Sequence, residues 1–401
     1  MSIIGINGSF IRKPATGIGQ VSWHFIQELL KEIILREKDK QASEIIIYLE
    51  ERVPKKLQKL IRKNSKIKFK VISGWYKRDD LIRKILWEKF WLPKQIKKDD
   101  VEKFLSLYQS VTILPKKTNH LMFVHDVIPN IFPEYLNNSR KRIYYWLVNN
   151  AIKKSDKILT NSKFSQKEIS RVLNVNLDKI KVVYLACDSI FSQKLSENER
   201  VDKLKKYNLN LEDKYIFSFG GVDIRKNVER VIEAYGKLLA ENKNIPDLVI
   251  GGDFQKHLIP LVTDVEKIIK ETCQTYNLKQ DKFKTIGFVE QEDLPALYQS
   301  AEVFIYPSLY EGFGMPVLEA MLSAALVVTS GTTSIPEIIS AQAGYLINNP
   351  ESVDEIKEQL KIALGDSPEN KQAKINQASQ EAQKFSWQKM VGESWEEVTE
   401  E

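Results

Sequence analysis

VFIYPSLYEGFGMPVLEAM, residues 303–321, passes from a short apolar run into a glycine loop and on into a helix. Val303–Tyr306 are β-branched or aromatic and are followed at once by Pro307, which reads as a buried strand with a sharp stop. Glu311, Gly312 and Gly314 occupy the loop, and Pro316 sits where a helix would begin, the position proline tolerates best. Glu319 then falls roughly one turn inside that helix. A glycine loop entering a helix presents backbone amides at a positive dipole end, which suits a diphosphate, and glycines let a ligand come close to the backbone. The two carboxylates flank that place. One can accept from the hydroxyls of a sugar ring and the other from a ribose diol.

Working outward, the same strand-then-turn style recurs. KYIFSFGGV (214–222), DLVIGGD (247–253), KTIGFV (284–289) and ALVVTS (325–330) surround the opening stretch. IIIYLE (45–50), KFKVIS (68–73), HLMFVHDV (120–127) and DKILTNS (156–162) repeat it earlier, separated by helix-like segments such as VSWHFIQELLKEIIL (21–35). Alternating strands and helices predict parallel sheets covered on both faces. Each half has its own glycine turn after a strand, at Gly17/Gly19 and at Gly220/Gly221. The expectation is an α/β chain of two doubly wound domains whose facing strand ends form a ligand crevice. KVVYLACD (181–188) reads as the last strand of the first domain, and SQKLSENERVDKLKKYN (192–208) is polar. The expected domains are therefore 1–190 and 191–375, with 376–401 a closing helix that returns to the first.

Composition sets the wider limits. The chain has 401 residues, 43% hydrophobic and 28% charged, an ordinary globular balance rather than a disordered one. Cys187 and Cys273 are too few for a disulfide framework and lack zinc-ligand spacing, which fits a reducing compartment. MSIIGING shows neither a basic leader nor a long apolar core, so a signal peptide is not expected. No apolar run is long enough to predict a transmembrane helix. The net charge of +7 conceals a split: residues 1–190 carry 37 Lys+Arg against 19 Asp+Glu, a net of +18, and the remainder is −11. A basic half suits a membrane surface, a lipid phosphate or nucleic acid, and also an ordinary lysine-rich surface. LIRKILWEKFWLPKQIKK (81–98) interleaves basic and bulky apolar residues. It reads either as a stripe packed on its own domain or as an amphipathic element lying on a membrane.

The 306–321 string resembles the E-x7-E motif of retaining glycosyltransferases, family 4 above all: Glu311 and Glu319 have that spacing, and EGFGMPVLEAM (311–321) matches almost position by position. The resemblance implies a GT-B fold, with Glu311 beside the transferred sugar, Glu319 on the nucleotide ribose, and the amides of Gly312, Phe313 and Gly314 on the diphosphate. FGGVDIRKNVERVIEAY (219–235) is similar to the family's strand–turn–helix with its phosphate-binding lysine, here Lys226. The family often has an arginine directly after the glycine that ends this strand. That slot is Gly221, and the neighbouring Arg225 would supply part of the charge. GFVEQEDLPALYQSAEVFIYPS (287–308) resembles the nucleobase segment, which would place Phe288 and Val289 at the base and bring Gly251–Gly252 near the nucleotide.

In the first half TGIGQVSWHFIQELL (16–30) resembles the family's glycine loop, which would bring the Gly17 and Gly19 amides near the donor phosphates or the acceptor. VHDVIP (124–129) resembles its cleft-strand histidine, here His125, with Asp126 a turn or cap residue. In TNSKFSQKEI (160–169), Ser162 is expected to cap a helix, and FSWQKM (385–390) resembles the start of the closing helix. The likeness runs from about residue 5 to about residue 395 and is looser between 36 and 118, where acceptor recognition usually varies.

The expected activity is transfer of a sugar from a nucleotide diphosphate sugar to an acceptor hydroxyl with retention, in polysaccharide or glycoconjugate assembly. The acceptor is a glycan, a lipid-linked sugar or a protein. The location expected is cytoplasmic, with peripheral contact at the inner membrane face. Apart from the donor substrate no cofactor is implied. No D-x-D triplet occurs, so metal-independent chemistry is expected. A sugar-nucleotide epimerase or hydrolase of the same architecture is the alternative. Nucleic acid, which the basic half alone would allow, is not an expected partner.

Overall fold

In the computed structural model the described residues are 2–13, 16–35, 44–61, 66–73, 79–254 and 261–400. They form two compact units, Met1–Leu185 with Ser386–Glu401, and Ala186–Phe385. Each unit is a parallel sheet between helices.

The first sheet has strands β1 (Ile3–Asn7), β2 (Glu44–Leu49), β3 (Ile67–Val71), β4 (Lys103–Ser106), β5 (Asn119–Phe123), β6 (Lys157–Thr160) and β7 (Ile180–Val182). Their order is β3-β2-β1-β4-β5-β6-β7. The second has β8 (Tyr215–Ser218), β9 (Asp247–Gly251), β10 (Phe283–Gly287), β11 (Val303–Tyr306), β12 (Val327–Ser330) and β13 (Tyr345–Ile347), in the order β10-β9-β8-β11-β12-β13. Strands covered on both faces must be apolar throughout, and every residue of β8, β11 and β12 is buried. The helix Val228–Glu241 shows the complementary pattern, burying Val231, Ile232, Tyr235, Leu238 and Leu239 on one stripe.

The basic-aromatic stretch 81–98 is a wall of the first unit. It runs as a helix Asp80–Leu86 capped by Asp79, a π-helical turn Trp87–Trp91, and a helix Leu92–Lys98. Trp87, Leu92 and Ile96 are fully buried with Tyr48 and Phe104. Lys84 is turned inward, its side chain 16% exposed, rather than outward as a membrane-facing cation would be. Its ammonium lies 4.8, 5.1 and 5.0 Å from the ring centres of Phe10, Tyr108 and Tyr144, a desolvated cation–π arrangement. Burial holds its pKa below the ordinary lysine value. Arg83 is paired with Asp80 at 2.5 Å. The rings around Lys84 come from elements distant in sequence, so the charge pattern of the stretch did not show which face was covered.

The helix Ser139–Lys154 buries Tyr144, Val148, Ala151 and Ile152. Its opposite face leaves Ile143 59% and Trp146 67% exposed. Ser162 caps the helix Lys163–Leu173, accepting from the Ser165 amide at 2.9 Å. The closing helix Trp387–Thr399 starts at the cap Ser386 and belongs to the first unit, where Trp387 stacks on His24 at 4.9 Å.

Candidate active site

In a doubly wound sheet the ligand crevice opens where neighbouring strands send their chains to opposite sides. In the second unit that place is between β8 and β11. The loops leaving those two strands are the glycine turn 219–221 and the segment 307–314. Gly220 has φ +128°, and a Cβ there would stand 2.7 Å from the Tyr306 ring. Only glycine lets the two strand ends approach this closely.

Arg225 and Lys226 lie on a short 3-10 turn, Ile224–Lys226, ahead of the next helix rather than in it. Asp223 caps the turn by accepting from the Arg225 amide at 3.1 Å. Asn227 follows at φ +65°, a left-handed conformation asparagine tolerates better than most residues. Its buried Nδ2 donates to the carbonyls of Pro307 at 2.9 Å and Pro350 at 2.6 Å. The turn is thereby fastened to the loop that carries Glu311.

Glu311 is the centre of a buried charge cluster. Its Oε1 accepts from Lys226 Nζ at 2.7 Å, Arg225 Nη1 at 3.0 Å, the Tyr306 hydroxyl at 2.6 Å and Ser308 Oγ at 2.7 Å. Oε2 takes none of these bonds. Burial alone would raise the carboxyl's pKa, but Lys226 and Arg225 outweigh it and hold it at about 2. Lys226 also bonds the Tyr306 hydroxyl. Burial and the neighbouring Arg225 draw Lys226 below the ordinary lysine value, against the pull of Glu311. Arg225 Nε also stands 3.6 Å from Asp223, so two cations are set with two carboxylates at the crevice between β8 and β11.

Glu319 has a different environment. It sits on the helix Met315–Leu322 and accepts from Tyr298 OH at 3.1 Å. Burial with so little compensation raises its pKa to about 7. Gly314 precedes this helix at φ +116° and gives it no side-chain cap. Phe313 is buried, with its ring edge-on to Phe385 at 5.7 Å. At the end of β10, Phe288 is 59% exposed and Val289 is buried. Gly221 has φ +93° and open space beside it. The Gly252 amide is engaged by the Gly287 carbonyl at 2.8 Å.

The remaining expected site residues are in the first unit. Gly17 opens the helix Gly17–Leu35. The Gly19 amide is not open to a ligand, because Thr16 Oγ1 accepts from it at 3.1 Å as a helix cap. His125 is buried, with Nε2 3.1 Å from the Leu107 carbonyl. A carbonyl accepts only, so Nε2 carries the proton and Nδ1 is left as an acceptor. Burial lowers this imidazole to about 4, so it is neutral at physiological pH. Asp126 caps the turn that follows, accepting from the Ile128 amide at 3.0 Å.

Asn227, Tyr298, Tyr306 and Ser308 are the partners that sequence reasoning passed over. Asn227 could have been found from its place after Arg225-Lys226, since asparagine is a common left-handed residue between a turn and a helix. The hydroxyl partners had no comparable signal.

Residues 199–382 match the family described as Glycosyl transferases group 1. Over 264 residues the chain is 34% identical to O-antigen chain mannosyltransferase B of Escherichia coli, covering 66% of each. It is 31% identical over 265 residues to the serotype-specific mannosyltransferase WbdA of Escherichia coli. That match spans 66% of this chain but about a third, 31%, of the relative. WaaG, a glycosyltransferase involved in lipopolysaccharide biosynthesis, superposes with a TM-score of 0.70 at 15% identity, covering 100% of both chains. Anabaena HepE in complex with UDP and glucose gives 0.65 at 17% identity, covering 100% of this chain and 99% of that one. The structural likeness shows the fold, two doubly wound units of the GT-B type. The chain belongs to the glycosyl transferases group 1 family.

Proposed function

We propose that the chain is a retaining glycosyltransferase that moves a hexose, with mannose the first choice, from a nucleotide diphosphate sugar to an acceptor hydroxyl in polysaccharide assembly. The observation that carries this reading is the Arg225–Lys226–Glu311 cluster, which sets two cations at the β8/β11 switch point. Preorganised cations are worth most where negative charge develops, here on the departing diphosphate. With two of them present the reaction needs no divalent metal. Glu311, held at about pKa 2, is too weak a base to take the acceptor's proton. Its free Oε2 accepts from a sugar hydroxyl, and the leaving phosphate takes the proton in a front-face reaction. The neutral His125 contributes an acceptor at Nδ1. The mannosyltransferase names of the relatives support a mannose donor.

The test is a thermal-shift screen in EDTA against GDP-, UDP- and dTDP-sugars, followed by product analysis with and without acceptor. A true donor at about 100 times its dissociation constant should stabilise by about 2.7 kcal/mol. No shift with any nucleotide sugar, or a shift only when metal is restored, would overturn the reading. Donor rearrangement without acceptor would favour the epimerase alternative.

Glu319 is the proposed ribose acceptor, and its raised pKa gives opposite signs for folding and binding. A carboxyl whose folded pKa lies above the ordinary 4.5 costs stability as pH rises from there through about 7. Glu319→Gln should therefore raise the melting temperature of the free protein at pH 8. The same change should weaken nucleotide binding about tenfold or more, through loss of a charge-assisted hydrogen bond. Calorimetry that finds unchanged affinity in the variant removes this role.

Among the described residues no helix is long and apolar enough to cross a membrane. The proposed location is cytoplasmic with peripheral membrane contact. Because Arg83 and Lys84 of 81–98 are engaged internally, the helix Ser139–Lys154 is the proposed contact in its place. There the exposed Ile143 and Trp146 lie among Arg142, Lys153 and Lys154. In sedimentation with anionic liposomes, Arg142→Gln and Lys153→Gln should each weaken binding about fivefold at low salt. Trp146→Ser should weaken it at all salt concentrations. Wild-type protein that stays in the supernatant at low salt would make the acceptor a soluble glycan or protein.

A further inference from the structure

Three consecutive residues beyond β12 dock one after another onto the loop that carries Glu311. Thr333 Oγ1 accepts from the Glu311 amide at 3.4 Å. Ser334 Oγ, fully buried, is shared between the carbonyls of Glu311 at 2.9 Å and Phe313 at 2.7 Å. Ile335 closes over Gly314, where a Cβ would stand 2.5 Å from Ile335 Cδ1. The amide and the carbonyl of Glu311 are thus both held by adjacent hydroxyls, while four donors hold its side-chain Oε1.

This docking includes a strained residue. Thr333 has φ +58°, a left-handed conformation in which a β-branched side chain is an outlier. Such conformations persist only where surrounding contacts over-determine them, and they gather at functional sites. The neighbouring contacts of Ser334 and Ile335 do that here, and all three residues serve one loop.

We infer that Thr333 is a positioning residue: its left-handed turn sets the Thr333 and Ser334 hydroxyls against Glu311 and so fixes where the Glu311 carboxylate points. The consequence for turnover rests on the transferase reading above. The consequence for loop order does not.

The experiment compares wild type, Thr333→Gly and Thr333→Ser by hydrogen exchange of residues 309–314, by melting temperature, and by kcat and donor KM. Glycine relieves the left-handed strain and removes the hydroxyl. Thr333→Gly should melt at or above the wild-type temperature, yet exchange about tenfold faster at 309–314, the order expected for one lost hydrogen bond. Its kcat should fall by a similar factor while donor KM moves little. Thr333→Ser keeps the hydroxyl and should restore both exchange and kcat. Wild-type exchange and kcat in the glycine variant would overturn the inference. So would a lowered melting temperature with faster exchange across the whole unit, which would mark Thr333 as merely structural. If wild type transfers no sugar the proposed function fails, while exchange and melting still decide whether Thr333 positions the loop.

Discussion

Lys226→Ala should lower turnover on the order of 100-fold or more, the usual consequence of removing a preorganised donor to developing charge. Donor affinity should change much less, because a group that acts on the leaving diphosphate acts mainly in the transition state. The fold should survive, since Glu311 keeps Arg225, Tyr306 and Ser308 as partners. Lys226→Arg is not expected to rescue activity. The ammonium is buried and fixed between Tyr306 and Glu311, and a planar guanidinium has a different shape and reach. Single-turnover kinetics with saturating donor measure the chemical step directly. Near-normal turnover in Lys226→Ala would transfer the role to Arg225.

Glu311→Ala should cost both activity and stability. It removes the carboxylate partner of the buried Lys226, while Arg225 keeps Asp223 at 3.6 Å. Breaking a buried pair in this way costs about 3–5 kcal/mol, which for a unit of this size lowers the melting temperature by about 10 °C. The pH dependence has a definite sign. The folded pKa of Glu311 lies below the ordinary 4.5, at about 2. The stability it contributes is therefore present above the unfolded value and is lost as pH falls through the folded one. The gap between wild type and Glu311→Ala should be full above pH 4.5 and shrink towards pH 2. Melting curves at stepped pH test this. A gap that stays constant to pH 2 would mean that the carboxylate is not what holds the cations.

The local units of this protein were written in short stretches of sequence. A strand of buried apolar residues, a glycine turn and a helix opened by proline follow from φ/ψ limits, side-chain branching and helix-end hydrogen bonding, all of which act over a few residues. Thus 303–321 could be read as strand, loop and helix, and repetition of the pattern implied parallel sheets in both halves. The same locality explains why Asp126 and Ser162 were legible as caps.

What tertiary structure alone decided was which of these groups meet, and how much water each keeps. Glu311 and Lys226 are 85 positions apart, and Asn227 reaches Pro350 across 123. No spacing rule links them; strand order does, because β8 and β11 lie side by side. Two glutamates of one motif consequently part company, Glu311 held at about pKa 2 by two cations and Glu319 raised to about 7 by burial with a single tyrosine. The 81–98 stretch makes the same point about exposure. Its basic and apolar alternation was plain in the sequence, but Lys84 ended inside a ring of aromatics. Periodicity records which side of an element is apolar. The dielectric around a charge depends on what the rest of the chain lays over it, and that is set only when distant elements pack.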